Sequence, residues 1–179
     1  MKTIVIVAHP NLKESRANKT FIDSLSEQSH IDIHNLYQKY PDWNIDVERE
    51  HQLLLEYQRI VLLFPFYWYS SPPLLKKWFD DVMVYGWAFG PGGDHLKGKE
   101  FIIATTTGGK RKEYQAGGRN WFTISELLRP MQTTIQRCNG TFLPSFVMYN
   151  ANLADEAQLT IEAGKFLNHI KSPLEAFDM

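Results

Sequence analysis

Near its start the chain reads Thr3-Ile-Val-Ile-Val-Ala8, a run of apolar and β-branched residues without alternation. Such a run is typical of a strand that is buried on both faces of a parallel sheet. His9-Pro10 ends the strand, and after a short polar loop Ser15 is well placed to begin a helix. A strand, a tight loop and a helix N-terminus form an anion site, because free N–H groups and the helix dipole favour a phosphate. The same residues also fit an ordinary turn capped by serine.

The rest of the chain continues this alternation of strands and helices. Further strands are predicted at residues 31–36, 59–64, 100–105 and 141–149, the last interrupted by Pro144. Helical patterns separate the strands. A last helix, capped by Asn152 or Asp155, reaches about Ile170, and Ser172-Pro173 marks the start of a tail. Residues 37–46 are predicted to be a loop. Pro130 is expected to kink the helix that begins at Thr123 or to hold its first turns apart. The pattern predicts an α/β three-layer sandwich of flavodoxin type, with a five-stranded parallel sheet in the order 2-1-3-4-5 and helices on both faces.

Composition narrows the class of protein. The 179 residues are 44% hydrophobic, which fits a single domain over residues 1–179. A net charge of −1 does not indicate a surface that binds nucleic acid, so we expect a small-molecule or protein partner. Cys138 is the only cysteine, which excludes an intrachain disulfide and a cysteine-based zinc site and fits a reducing cytoplasm. The opening residues resemble neither a signal peptide nor a membrane span, and no metal site is predicted.

An aromatic run follows the third predicted strand directly. Pro65 ends that strand, and Phe66-Tyr67-Trp68-Tyr69 comes next. In open α/β sheets ligands bind beyond the carboxyl ends of the strands, so these rings could stack on a flat heterocycle. The alternative is a hydrophobic loop that packs on its own helix.

The fourth strand ends in Thr106-Thr107-Gly108-Gly109. Paired glycines let the backbone approach a ligand closely, although a plain turn has the same composition. Two long loops lie nearby in the sequence: residues 84–99 are predicted to cover a pocket or a subunit contact, and residues 110–122 to form a lid or binding loop. Within the second loop, Lys110-Arg111-Lys112 is either a solvated basic run or a phosphate contact.

Together the three loops offer a phosphate site, an aromatic run and a Thr-Thr-Gly-Gly turn, which are the parts that a flavin mononucleotide (FMN) requires. The three spaced glycines of a dinucleotide fingerprint are absent after the first strand. With these motifs, and with Gly86-Trp87-Ala88-Phe89-Gly90, the chain resembles the flavodoxin-like NAD(P)H quinone oxidoreductases over nearly its whole length. It is most similar to the bacterial general-stress flavoproteins and to the ancillary subunits of glutathione-gated potassium-efflux antiporters.

The resemblance implies a set of site residues. The flavin phosphate and ribityl chain would be held by His9, Ser15, Arg16, Ala17 and Asn18. The ring would be enclosed by Pro65, Phe66, Tyr67, Trp68 and Tyr69, with Thr106, Thr107, Gly108 and Gly109 at its polar edge. Tyr114 matches a tyrosine that the family uses as a catalytic residue. The family's neighbouring histidine does not carry over, because Arg119 or Asn120 stands there.

The implied activity is two-electron reduction of quinones by NAD(P)H through bound FMN, in a ping-pong sequence. FMN is favoured over FAD, since the longer FAD-binding relatives have an additional C-terminal segment. The family is commonly dimeric, which would bring Trp87, Phe89 and Trp121 to a neighbour's site. The alternative function is a regulatory subunit that associates peripherally with a membrane potassium antiporter. A one-electron carrier like true flavodoxins is disfavoured, because those rely on a strongly acidic docking surface.

Overall fold

The computed structural model describes residues 1–172 and is built on a parallel sheet. Its strands are β1 (Thr3–Val7), β2 (Ile31–Asn35), β3 (Arg59–Pro65), β4 (Glu100–Thr106), β5 (Thr141–Phe142) and β6 (Phe146–Met148). The order across the sheet is β2-β1-β3-β4-β5, and β6 pairs with β4 further along the same edge. The predicted flavodoxin-type sheet in the order 2-1-3-4-5 is therefore confirmed.

Helices cover both faces of the sheet. They are α1 (Arg16–Leu25), α2 (Leu36–Lys39), α3 (Val47–Leu55), α4 (Pro73–Val82), α5 (Ile124–Leu127), α6 (Arg129–Arg137) and α7 (Glu156–Lys171). Short 3-10 helices lie at Leu12–Glu14, Arg111–Glu113 and Ala151–Leu153. The five predicted helices become seven α-helices in residues 1–172, because one short helix was missed and another is divided.

Alternation along β1 divides the hydrophobic core between the two faces. Ile4 belongs to a cluster with Trp78 of α4 on one face, whereas Val5 belongs to a cluster with Phe21 of α1 and Phe166 of α7 on the other. The rings of Phe21 and Phe166 stack with centroids 5.0 Å apart. Both faces of β1 are thus buried, as its uninterrupted apolar sequence predicts.

Side-chain caps begin three helices where the sequence predicts them. The hydroxyl of Ser15 accepts the N–H of the third residue of α1, and Asp155 does the same for α7. Thr123 and Glu126 form a reciprocal capping box at α5. Of the two alternatives for the last helix, Asp155 is the capping residue.

Two prolines divide elements as expected. Thr141–Phe142 and Phe146–Met148 are separate strands on either side of Pro144. Pro130 occupies the first turn of α6, and α5 ends before it at Leu127.

The predicted loop at residues 37–46 is partly wrong. Its first residues belong to α2, because Asn35 ends β2 and its side chain accepts the N–H of Gln38 at 3.2 Å. Tyr40 and Ile45 beyond this helix are buried, so the segment packs on the core.

The described part of the chain ends at Ser172. The predicted start of a tail at Ser172-Pro173 therefore lies largely outside it, and a single domain over residues 1–179 stays a prediction. Within residues 1–172, no helix combines the length and the hydropathy that crossing a bilayer requires.

A buried carboxylate of α3 joins β2, the residue that follows α2, and α4. Glu50 of α3 is fully buried, and it accepts hydrogen bonds from the Tyr40 hydroxyl at 2.5 Å and from the Trp78 indole N–H at 2.7 Å. The Nε2 atom of His34 lies 2.8 Å from the same carboxylate. Burial alone would raise the pKa of Glu50, but the hydrogen bonds from His34, Tyr40 and Trp78 outweigh it and hold the pKa below its usual value.

We expect Glu50→Ala to lower the free energy of unfolding by about 3 kcal/mol, because it leaves the buried Tyr40 and Trp78 and the part-buried His34 without their shared hydrogen-bond partner. Urea unfolding measures the change, and Glu48→Ala on the exposed side of the same helix is the control. Because the folded-state pKa is lowered, the contribution of Glu50 is present above the ordinary carboxyl pKa and is lost as the pH falls through the lowered value. A Glu50→Ala protein within about 1 kcal/mol of wild type would contradict this role.

Candidate functional site

The loops after β1, β3 and β4 meet at one edge of the sheet. These three strands are neighbours, so their carboxyl ends lie side by side. A side-chain bond from Asn18 Nδ2 to Thr106 Oγ1 at 3.0 Å joins the first loop to the third. The backbone N–H of Phe66 donates to the carbonyl of Thr106 at 2.8 Å and joins the second loop to the third.

A cleft of about 600 Å³ opens between these loops. The predicted residues that line it are His9, Ser15, Arg16, Ala17, Asn18, Pro65, Phe66, Tyr67, Thr106, Thr107 and Gly108. Four predicted residues do not line the cleft: Trp68, Tyr69, Gly109 and Tyr114. Its size falls within the range of small-molecule sites in proteins.

The N-terminus of α1 forms one end of the cleft. Ser15 Oγ accepts the backbone N–H of Asn18 at 3.2 Å, and the Asn18 Nδ2 atom lies 3.3 Å from the same oxygen. Asn18 is 2% exposed, and its Oδ1 atom is buried without a hydrogen-bond partner among the described residues. A buried acceptor of this kind is costly to leave unpaired, so its position suits a ligand that donates a hydrogen bond.

His9 presents a defined hydrogen-bond donor to the cleft. Its Nδ1 atom accepts the backbone N–H of Asn11 at 3.1 Å, which assigns the proton of the neutral ring to Nε2. Burial lowers the pKa of His9 and favours that neutral ring. His9 is therefore suited to donate one hydrogen bond to an anionic or hydroxyl-bearing ligand.

Arg16 lines the cleft but is already engaged. Its Nη2 atom lies 2.8 Å from Glu156 Oε1, at the start of α7. The ion pair is largely exposed, so its net stabilisation is small. One guanidinium edge remains available to a phosphate, whereas Glu14, bonded to Asn11 at 2.6 Å, adds an acidic group to the same wall.

The aromatic run forms a strained turn. Tyr67 and Ser70 exchange two backbone hydrogen bonds of 3.0 and 2.8 Å around Trp68 and Tyr69, whose φ angles are +45° and +64°. Such turns normally contain asparagine and glycine, because a side chain destabilises the left-handed conformation. Trp68 is nevertheless 91% exposed, so packing within the described chain does not account for the strain. Unexplained backbone strain of this kind is common at functional sites.

The Thr-Thr-Gly-Gly turn forms the opposite wall. Thr107 Oγ1 lies 2.7 Å from the Tyr114 hydroxyl and accepts the N–H of Gly109 at 3.3 Å. A Cβ atom at Gly108 would lie 2.7 Å from Asn152 Nδ2, so the glycine allows Asn152 to lie against the backbone.

The 84–99 loop and the 110–122 loop contact different parts of the protein. Trp87 of the 84–99 loop is sandwiched between the rings of His51 and His95, with centroid distances of 3.6 and 5.2 Å. In the 110–122 loop, the Asn120 amide oxygen lies 3.4 Å from the Tyr69 hydroxyl, which joins this loop to the aromatic turn.

A second cavity, the groove, lies on the other side of Tyr114. It measures about 1140 Å³ and runs between the 110–122 loop, α6 and the edge of the sheet formed by β5 and β6. Arg111 and Tyr149 line it, together with Tyr114. Of the basic run 110–112, only Arg111 lies in this wall, and none of the three residues lines the cleft.

The fold agrees with that of a known family. A model described as flavodoxin-like fold matches residues 1–170. The chain belongs to the flavodoxin-like fold family.

Two similar proteins have names that refer to a function. This flavodoxin-like protein is 49% identical over 170 residues to the uncharacterized NAD(P)H oxidoreductase YdeQ of Bacillus subtilis, covering 95% of this chain and 86% of that one. It is 38% identical over 173 residues to the glutathione-regulated potassium-efflux system ancillary protein KefF of Salmonella arizonae, covering 97% of each chain.

Two solved structures are similar throughout. One is general stress protein 14 of Treponema denticola in complex with FMN, with a TM-score of 0.90, 34% identity and coverage of 95% of this chain and 98% of that one. The other is an NADPH-quinone reductase of P. pentosaceus, with a TM-score of 0.88, 33% identity and coverage of 98% and 100%.

Sequence reasoning missed four residues that line the cleft of this flavodoxin-like protein: Asn11, Glu14, Ala151 and Asn152. Asn11 and Glu14 lie in the loop between β1 and α1, which the sequence already predicts to be an anion site. Their position in that loop could therefore have identified them. Ala151 and Asn152 follow β6 and reach the cleft only through the pairing of β6 with β4, which no local pattern reveals.

Replacing Trp68 and Tyr69 by asparagine and glycine is expected to stabilise the flavodoxin-like fold by about 1 kcal/mol, because these residues tolerate positive φ. Thermal unfolding measures the change. The matched control is the double variant Trp68→Ala/Tyr69→Ala, which removes the same rings but keeps the backbone strain. Equal melting temperatures for the two double variants would mean that the turn stores no strain.

Proposed function

We propose that this protein binds FMN in the cleft and uses it to reduce quinones with electrons from NAD(P)H. The single observation that carries the proposal is the convergence of three features on one cleft: a helix N-terminus, an aromatic turn and a glycine-containing wall. The FMN complex of general stress protein 14, the NADPH-quinone reductase and the NAD(P)H oxidoreductase name support this assignment.

The residues present fit FMN. The N-terminus of α1 and Ser15 suit its phosphate, and the unpaired Asn18 Oδ1 suits a ribityl hydroxyl. Phe66 and Tyr67 would contact the ring from one wall and Thr107 and Gly108 from the other. Because the solved relative contains FMN, we propose FMN as the cofactor in preference to FAD.

Bound FMN supplies a hydride acceptor that passes two electrons onward in a separate step. The protein's part is binding and orientation. His9 donates from Nε2, Arg16 offers a positive charge at the phosphate end, and the Tyr67–Ser70 turn holds exposed aromatic groups beside the opening. One open cleft suits a ping-pong sequence, in which the nicotinamide leaves before the quinone enters.

Single-turnover mixing tests the activity. Protein saturated with FMN should lose its flavin absorbance with NADPH or NADH and regain it in a second, separate phase with a naphthoquinone. Protein that takes up no FMN, or whose flavin stays oxidised with both nicotinamides, would overturn the proposal.

Comparison of FMN with riboflavin tests the phosphate end. We expect Ser15→Ala and His9→Ala to weaken FMN binding about tenfold while changing riboflavin binding less than about twofold, because only FMN has the phosphate that these groups contact.

Asp46→Ala is the matched control, since it removes the N-cap of α3 at comparable cost to stability without touching the cleft. Fluorescence titration measures each affinity. Equal losses for the two flavins would place the phosphate elsewhere.

A second candidate function is that of an ancillary subunit of a potassium-efflux system. The similarity to KefF over 97% of both chains favours it. Co-purification with a membrane antiporter, and activation that persists in a Tyr114→Phe variant without reductase activity, would support this candidate over the first.

A homodimer in the cytoplasm is part of the same proposal. Exposed aromatic residues of the aromatic turn and of the 110–122 loop, Trp68 and Trp121 among them, would find partners in a second copy. The single cysteine is buried and suits a reducing compartment.

A further inference from the structure

An ion pair joins the first turns of two helices at the cleft. Arg16 is the first residue of α1 and Glu156 is the first residue of α7, and Arg16 Nη2 lies 2.8 Å from Glu156 Oε1. The two helices pack against each other through the stacked rings of Phe21 and Phe166. Arg16 lines the cleft, whereas Glu156 does not. The pair therefore links the phosphate end of the cleft to a residue outside it.

The two members of the pair differ in how well they suit their own helices. The N-terminus of a helix carries a partial positive charge, which favours an anion and disfavours a cation. Glu156 is thus stabilised by α7, whereas Arg16 stands at the unfavourable end of α1, whose first turn contains no acidic residue. The Glu156 carboxylate supplies the negative charge that this turn lacks. A phosphate bound at the same turn would supply that charge in its place.

The charges at this end of the cleft leave a phosphate with few other partners. Of the described residues that line the cleft, Arg16 is the only arginine or lysine, and Glu14 is an acid. His9 offers a neutral N–H, because burial lowers its pKa and its Nδ1 atom accepts the N–H of Asn11. An anionic ligand here therefore depends on Arg16 for a full positive charge.

The ion pair is easily separated. Its side chains are 50% exposed at Arg16 and 84% exposed at Glu156, so water surrounds both groups and the pair adds little to stability. One nitrogen contacts one oxygen, in contrast to the two parallel bonds of a bidentate pair. After separation, Glu156 keeps its hydration and the dipole of α7. Transfer of Arg16 to a bound phosphate thus costs the fold little.

We propose that Glu156 competes with the phosphate of a bound flavin for Arg16 and thereby lowers the affinity of the cleft for FMN. The inference rests on the proposed function, because it takes FMN as the ligand. Glu156 acts through Arg16 and sets affinity from outside the cleft. Riboflavin has no phosphate and is not subject to the competition. Glu156 therefore also narrows the preference of the cleft for FMN over riboflavin.

A double-mutant cycle tests the competition. Fluorescence titration of Glu156→Gln, Arg16→Gln and the double variant, each with FMN and with riboflavin, measures the dissociation constants. We expect Glu156→Gln to tighten FMN binding roughly threefold, because it frees Arg16 from an exposed ion pair, and to change riboflavin binding less than about 1.5-fold. In the Arg16→Gln protein, the same change should alter FMN binding less than about 1.5-fold, since the shared partner is gone.

Glu162→Gln is the matched control. Glu162 belongs to the same helix and does not line the cleft, and its carboxylate lies 2.7 Å from the Lys165 ammonium. The substitution removes the same charge without releasing Arg16, so the FMN affinity should stay within about 1.5-fold of wild type. Thermal unfolding without flavin checks that each variant is folded.

Two results would overturn the inference. An unchanged FMN affinity in Glu156→Gln would mean that the phosphate uses the other edge of the Arg16 guanidinium without displacing Glu156. An equal gain with and without Arg16 would mean that the carboxylate repels the phosphate directly. Wild type that binds neither flavin would overturn the proposed function and this inference together, whereas bound FMN that stays oxidised with both nicotinamides would overturn the proposed function alone.

Discussion

Parallel pairing of β1, β3 and β4 is the constraint on which the site depends. Thr3 pairs with Arg59, and Arg59 pairs with Glu100, so the three strands begin together and run side by side. Because they also point the same way, the chain leaves all three at one edge of the sheet. The loops that follow these strands therefore lie next to one another. The hydrogen bond between Asn18 and Thr106 holds the first loop against the third. Backbone hydrogen bonding between the strands thus determines where the cleft lies, independently of the side chains that line it.

The sequence predicts what local patterns control. Continuous apolar runs predict the buried strands, and Ser15, Thr123 and Asp155 predict helix starts because a cap depends on neighbours within three residues. The three loops of the cleft follow from the strand order. Local patterns fail where contact depends on distant pairing. Asn152 reaches Gly108 through β6, and Glu156 turns the Arg16 guanidinium toward α7 from 140 residues away.

Polar groups at the interior and at the cleft differ in how completely they are paired. Glu50 is deeply buried, and donors from three sides satisfy it. Asn18 is almost as buried, yet its Oδ1 atom has no partner among the described residues. The backbone at Trp68 and Tyr69 is strained, whereas the caps of α1, α5 and α7 are satisfied. An unpaired buried acceptor and a strained turn thus lie at the same edge of the sheet, which is the pattern expected where a ligand completes the structure.

Ala151 and Asn152 form one wall of the cleft, and their late position in the chain determines when the cleft is complete during synthesis. A ribosome releases the chain from its amino end, so the helix N-terminus at Ser15 and the aromatic turn emerge long before residue 152 is synthesised. Until β6 pairs with β4, the cleft is an open trough with one side absent. Stable retention of any ligand there must await the last strand, and capture is a late step in the life of the nascent chain.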